Sequence, residues 1–135
     1  MRFNQRRAKL FLFSILMTFI ILRLWLHLSP NSDFNVGSYN IHHLFTGLIF
    51  ITFCGPILIL FSGEGRLLDI ASIGFGVGLS MALDEWVYLI TTDGSNASYL
   101  VPISFWGGVV MITLSSAYVV GLILYGRRCY QIENN

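Results

Sequence analysis

The sequence predicts an all-α protein, a four-helix transmembrane bundle forming a single domain over residues 1–135. Three observations carry this. The chain is 55% hydrophobic with only 11% charged residues, and its mean hydropathy is +0.70. A soluble domain has roughly 25% charged residues. Four apolar stretches are each long enough to cross a bilayer core, which takes about 20 residues at 1.5 Å rise. Seven of the eight Lys and Arg residues sit outside those stretches, at their ends, with Arg23 the exception.

The first stretch runs from Leu10 to Leu28 and contains two ionisable residues, Arg23 and His27. Its basic front end resembles a signal peptide. The apolar run is too long for one, however, and no small-x-small cleavage site follows, so a retained helix is expected. The second stretch runs from Ile41 to Phe61, with Pro56 as a candidate kink. The third runs from Leu67 to Thr91 and the fourth from Leu100 to Tyr125. Polar turn-forming segments separate them: Ser29 to Asp33, Ser62 to Arg66 and Thr92 to Asn96. The middle one is so short that the second and third helices must form an antiparallel hairpin.

Basic residues set the expected orientation. Arg2, Arg6, Arg7 and Lys9 precede the first helix, Arg66 lies in the second connection, and Arg127 and Arg128 follow the fourth helix. The first and third connections have no Lys or Arg. Both termini are therefore expected on the cytoplasmic side, in a plasma (inner) membrane. Trp25, Trp86 and Trp106 then fall toward the outer face as an aromatic belt. Asn96-Ala97-Ser98 is a glycosylation sequon in an outer connection. The net charge of +1 gives no case for nucleic acid. The expected partner is the lipid bilayer, with room for a homo-oligomer or a larger membrane complex. Cys54 and Cys129 are expected at different depths and therefore as free thiols.

On this topology six ionisable residues fall in one outer layer. Arg23 and His27 share a face of the first helix, His42 and His43 open the second, and Asp84 and Glu85 lie in the third. The acids sit roughly 9–10 Å from the outer end of their helix. Charge at such depth is costly, about 2.5–3.5 kcal/mol per group on insertion scales. Arg23 and a protonated histidine are the natural counter-charges. Adjacent residues diverge by about 100° on a helix. One acid is thus expected to face the bundle centre and the other a neighbouring helix or Arg23. His42 and His43 can reach one spot only if the helix start is irregular. Gly74 and Gly78 form a GxxxG pair on the face of Glu85, suited to close helix packing. Asp69, near the inner rim, is expected to pair with Arg66. The fourth helix has no acid or histidine within the span and is expected to be scaffold.

Imidazole and carboxylate together suit three chemistries. His27, His42 or His43, with Asp84 or Glu85, would supply a metal site accepting Zn or non-haem Fe, although no HExxH or ExxH motif is present. Haem held by two histidines is weaker, because the acids would be idle. A proton relay is the third. Ser/His/Asp hydrolysis lacks its Gly-x-Ser-x-Gly elbow. The leading expectation is metal binding, with chemistry directed at lipid. The alternative is a non-enzymatic proton or ion pathway component, or a structural subunit of a membrane complex.

The run Ile41-His42-His43-Leu44-Phe45-Thr46-Gly47, followed by Gly76-Val77-Gly78-Leu79 and Asp84-Glu85, resembles a pattern in small prokaryotic multi-span membrane proteins. Those carry a His-His-x-x-x-Gly element and a later Gly-x-Gly-Leu…Asp-Glu element. The resemblance covers the second and third helices and brings no activity with it. It implies that His42, His43, Asp84 and Glu85 act as a unit.

Overall fold

The computed structural model describes residues 3–29, 35–36, 39–40, 42–93, 98 and 101–133. Four helices make up the bundle: α1 (Gln5–Leu28), α2 (His43–Leu60), α3 (Arg66–Thr91) and α4 (Pro102–Glu133). Each contains a segment long and apolar enough to cross a bilayer. The chain is a small integral membrane protein with the all-α architecture that its apolar stretches predict. A two-residue antiparallel ladder, β1 (Asn35–Val36) with β2 (Tyr39–Asn40), lies between α1 and α2. Its sequence signal is the glycine among the two residues between Val36 and Tyr39, a common hairpin spacing.

The helix ends depart from the apolar stretches in an ordered way. α1 starts at Gln5, five residues before the apolar run, because Asn4 caps it by accepting the Arg7 N–H at 3.1 Å. α4 continues to Glu133, past the apolar run that ends at Tyr125. Hydropathy marks only the part of a helix in lipid; backbone hydrogen bonding carries the helix further into the aqueous layer. α2 passes through Pro56 without ending. It stops at Leu60, and Gly63 at φ 104° supplies the left-handed residue of the turn into α3.

α3 is the central element and packs against α1, α2 and α4. Its contact with α2 is the most extensive. A Cβ at Gly47 would lie 2.5 Å from the Gly78 carbonyl oxygen, and one at Gly78 would lie 2.5 Å from that of Gly47. Gly74 likewise sits against Cys54, where a Cβ would be 2.6 Å from Sγ. The GxxxG face of α3 thus packs on α2, as small residues permit in lipid. The flank carrying Ser72, Gly76 and Ser80 meets α1. Gly76 lies against Ser14 and the Phe11 backbone, and the Ser80 hydroxyl donates to the Ile15 carbonyl at 2.9 Å. The buried core, including Ile15, Leu68, Ala71, Tyr88, Ile112 and Val119, follows these seams. Most large apolar side chains on the remaining faces are exposed, as lipid-facing residues are.

The connection α2–α3 lies at the same end of the bundle as both chain termini. There Asp69 meets Arg6 at 2.8 Å and Arg7 at 3.9 Å. The expected partner was Arg66. Asp69 lies on the flank of α3 that faces α1, one turn before Ser72, so the α1 arginines reach it. Cys54 and Cys129 are both free thiols.

Candidate polar site at the loop end of the bundle

The opposite end of the bundle holds the ionisable cluster. Asp84 and Glu85 are 0% and 2% exposed, the most buried charged residues of the described chain. Being adjacent, they point to different neighbours, as helical geometry requires. Asp84 turns to α1. Its Oδ1 accepts from Arg23 Nε at 2.7 Å and lies 2.6 Å from Arg23 Nη2. The same Nη2 donates to the Ser104 carbonyl of α4 at 3.0 Å. The guanidinium carbon lies 5.7 Å from the ring centroids of both Phe19 and Phe105. These faces attract a cation and exclude water from it. Gly108 makes room for the pair: a Cβ there would stand 2.6 Å from Asp84 Oδ1.

Glu85 turns to α2. Its Oε2 accepts the backbone N–H of Leu44 at 2.7 Å. Its Oε1 lies 3.2 Å from His42 Nδ1 and 3.1 Å from His43 Nδ1. The other nitrogen of His43, Nε2, lies 3.2 Å from Asp84 Oδ2. His43 thus bridges the two acids, and the Arg23–Asp84 pair and the Glu85–His42 pair form one network across three helices.

The histidines converge because α2 starts irregularly. Sequence placed the helix start at Ile41, a residue outside those described. The helix begins at His43, and His42 is its extended N-cap at φ −63°, ψ 143°, with no side-chain capping bond. An extended His42 and a helical His43 aim at the same oxygen, which two helical neighbours cannot do. Glu85 supplies the missing cap from the neighbouring helix.

His27 does not join the cluster. It sits in the last turn of α1, one turn beyond Arg23, and is exposed. The side of α1 that faces the site is filled by Arg23. Tyr88, 0% exposed and one turn beyond Asp84 and Glu85, packs its ring 5.9 Å from His42. Sequence reasoning passed over Tyr88 and the backbone groups of Leu44 and Ser104, and took Gly108 only as a small packing position. The i, i+3 and i+4 spacing from Glu85 and Asp84 is the signal that could have found Tyr88. No such signal marks backbone groups, since every residue has them. α4 is accordingly more than scaffold, giving Arg23 an acceptor and Asp84 a space. Asn96 and Ala97 of the sequon, and Leu100 at the expected start of the fourth helix, lie outside the described residues.

Chemically the network holds two carboxylates, one guanidinium and two imidazoles. An ionised carboxylate only accepts hydrogen bonds, and a neutral imidazole has one donor and one acceptor. His43 meets Asp84 Oδ2 through Nε2 in a hydrogen bond and has Glu85 Oε1 3.1 Å from Nδ1 as an ion-pair contact. The imidazoles, with side chains 18% and 19% exposed, form the outer edge, and the acids lie behind them. Among the described residues no group of three or more His, Cys, Asp or Glu is disposed to hold a metal ion. No family model, curated protein or solved structure matches the chain.

Proposed function

We propose that this chain is a proton-handling membrane component, with the His42/His43–Asp84/Glu85 cluster as its working site and Arg23 as the fixed counter-charge. The observation that carries the reading is the position of His43 between two buried carboxylates, 3.1–3.2 Å from each, a chain of groups able to pass a proton. Asp84 and Glu85 would hold it, and the partly exposed imidazoles would exchange it with the adjacent aqueous surface. His and acid chains serve this role in pumps and transporters. The basic residues at the ends of the chain support cytoplasmic termini, which would make the site extracytoplasmic, in a plasma membrane. A homo-oligomer or a larger complex would complete a path across the bilayer.

The test is proton flux into vesicles containing the purified protein and a trapped pH dye, under an imposed potential. Wild type and Asp69→Asn should carry flux, and Glu85→Gln should lose it. Equal flux in wild type and Glu85→Gln would rule the site out of proton transfer.

A second reading, a bound Zn or non-haem Fe ion, draws on one observation. Two imidazole nitrogens meet one carboxylate oxygen at 3.1–3.2 Å, close to the ligand–ligand edge of about 3.3 Å in a tetrahedral site. Against it, the remaining carboxylate oxygens already accept from Arg23, His43 and Leu44. Metal content of the same preparation separates the two readings, because stoichiometric metal lost in Glu85→Gln would favour the ion.

A further inference from the structure

A second polar site lies at the other end of the bundle. Between the segment that leads into α1 and the α2–α3 turn is a cavity of about 730 Å³. This is within the 300–1,000 Å³ range of small-molecule sites. Its lining combines apolar Phe3, Leu58 and Phe61 with polar Arg7, Gly63 and Glu64. Phe3 packs on Gly126 of α4, and both line the cavity.

Arg7 is the cation of this lining. Arg7 donates from Nη2 to the Gly63 carbonyl. Its Nε is buried and has no hydrogen-bond partner among the described residues, with the nearest Asp69 oxygen 3.9 Å away. That carboxylate is engaged by Arg6 at 2.8 Å. Around the cavity Arg6 and Asp69 offset one another, which leaves Arg7 and Glu64 as one cation and one anion in the same lining. A cavity lined by apolar side chains together with one charge of each sign, at a lipid–water boundary, matches a molecule with the same three parts.

We infer that this cavity binds the headgroup of a glycerophospholipid bearing a primary ammonium, with the phosphate at Arg7, the ammonium at Glu64 and the glycerol end against Phe3, Leu58 and Phe61. Guanidinium–phosphate hydrogen bonds are among the strong, charge-assisted kind. A primary ammonium can donate to Glu64, whereas a quaternary one has no N–H. The lipid belongs to the leaflet on the side of the two termini.

The full chain is exchanged into nanodiscs of defined lipid and released into the gas phase, and lipid retained per chain is counted by mass spectrometry. Phosphatidylethanolamine should be retained over phosphatidylcholine, phosphatidylglycerol and diacylglycerol. Arg7→Gln should lower retention about tenfold, the loss of one charge-assisted hydrogen bond. Glu64→Gln should abolish the preference for ethanolamine while phosphate-dependent retention survives. Arg66→Gln removes a basic residue of the same rim that does not line the cavity, and should change nothing. Ser62→Trp fills the cavity from an exposed position without touching an ion pair and should lower retention as Arg7→Gln does. Equal retention of diacylglycerol, or an Arg66→Gln loss as large as that of Arg7→Gln, would overturn the site. So would soluble glycerophosphoethanolamine raising the melting temperature as much as the lipid does.

Discussion

Glu85 of α3 caps α2: its Oε2 accepts the Leu44 backbone N–H at 2.7 Å. The first N–H groups of a helix have no partner within it, and at membrane depth no bulk water serves them. Glu85→Ala should therefore leave the Leu44 N–H unsatisfied, destabilising the fold by ~1–3 kcal/mol. Glu85→Gln keeps an acceptor oxygen and should recover part of that loss. Hydrogen exchange at the Leu44 amide, together with melting temperature in detergent, reads both effects. Unchanged exchange in Glu85→Ala would show that the cap does not operate.

Arg23 and Asp84 are predicted to depend on each other. Either Arg23→Gln or Asp84→Asn alone leaves a charge without its principal partner, at a cost of ~3–5 kcal/mol. The double variant should cost less than the sum of the two. A double-mutant cycle measures this directly. Additive effects would mean that the pair is not coupled.

The α2–α3 seam has no space for a methyl group where Gly47 and Gly78 meet. Gly78→Ala is expected to force the helices apart at a cost of ~1–3 kcal/mol. Gly121, with nothing within 4 Å of a built Cβ, is the control, and Gly121→Ala should be neutral or slightly stabilising. Equal melting temperatures for the two variants would contradict the close approach.

Asp69 and its arginines make a different kind of pair. Arg6 is 77% exposed against 15% for Asp69; with one partner in water the pair stays near the surface value of about 0–1 kcal/mol. Asp69→Asn should shift the melting temperature little, far less than Asp84→Asn. A comparable drop in both would show that the terminal end is as dry as the loop end.

Orientation is checked independently of stability. A reporter fused after Asn135 should read cytoplasmic, and a cysteine placed at Asn35 or Ser95 should be labelled from outside. Labelling of the C-terminus from outside would invert the bundle and put the His/carboxylate cluster on the cytoplasmic face.

The helices were legible in the sequence because hydropathy and charge act locally, residue by residue. The convergence of His42, His43, Asp84, Glu85 and Arg23 was legible in part, since common depth follows from helix length. What depth cannot give is rotation. His27 has the same depth as the cluster but faces away, and Asp69 meets α1 rather than Arg66 in its own turn. Rotation depends on how glycine faces such as Gly47 and Gly78 interlock, a property of two helices together. The cap on Leu44 was hidden for the same reason, since it joins a side chain of one helix to the backbone of another.

The arrangement of charges also bears on how the chain enters the membrane. α3 is the least apolar span, with mean hydropathy 1.5 against 2.0–2.1 for the others, and it carries both buried acids. Synthesis proceeds from the N-terminus, so Arg23, His42 and His43 emerge from the ribosome before Asp84 and Glu85. The span that would insert least readily by itself thus arrives after the groups that neutralise it. Moving α3 ahead of α1 by circular permutation would reverse that order, leaving the final contacts unchanged but exposing the acids to the insertion machinery without a partner.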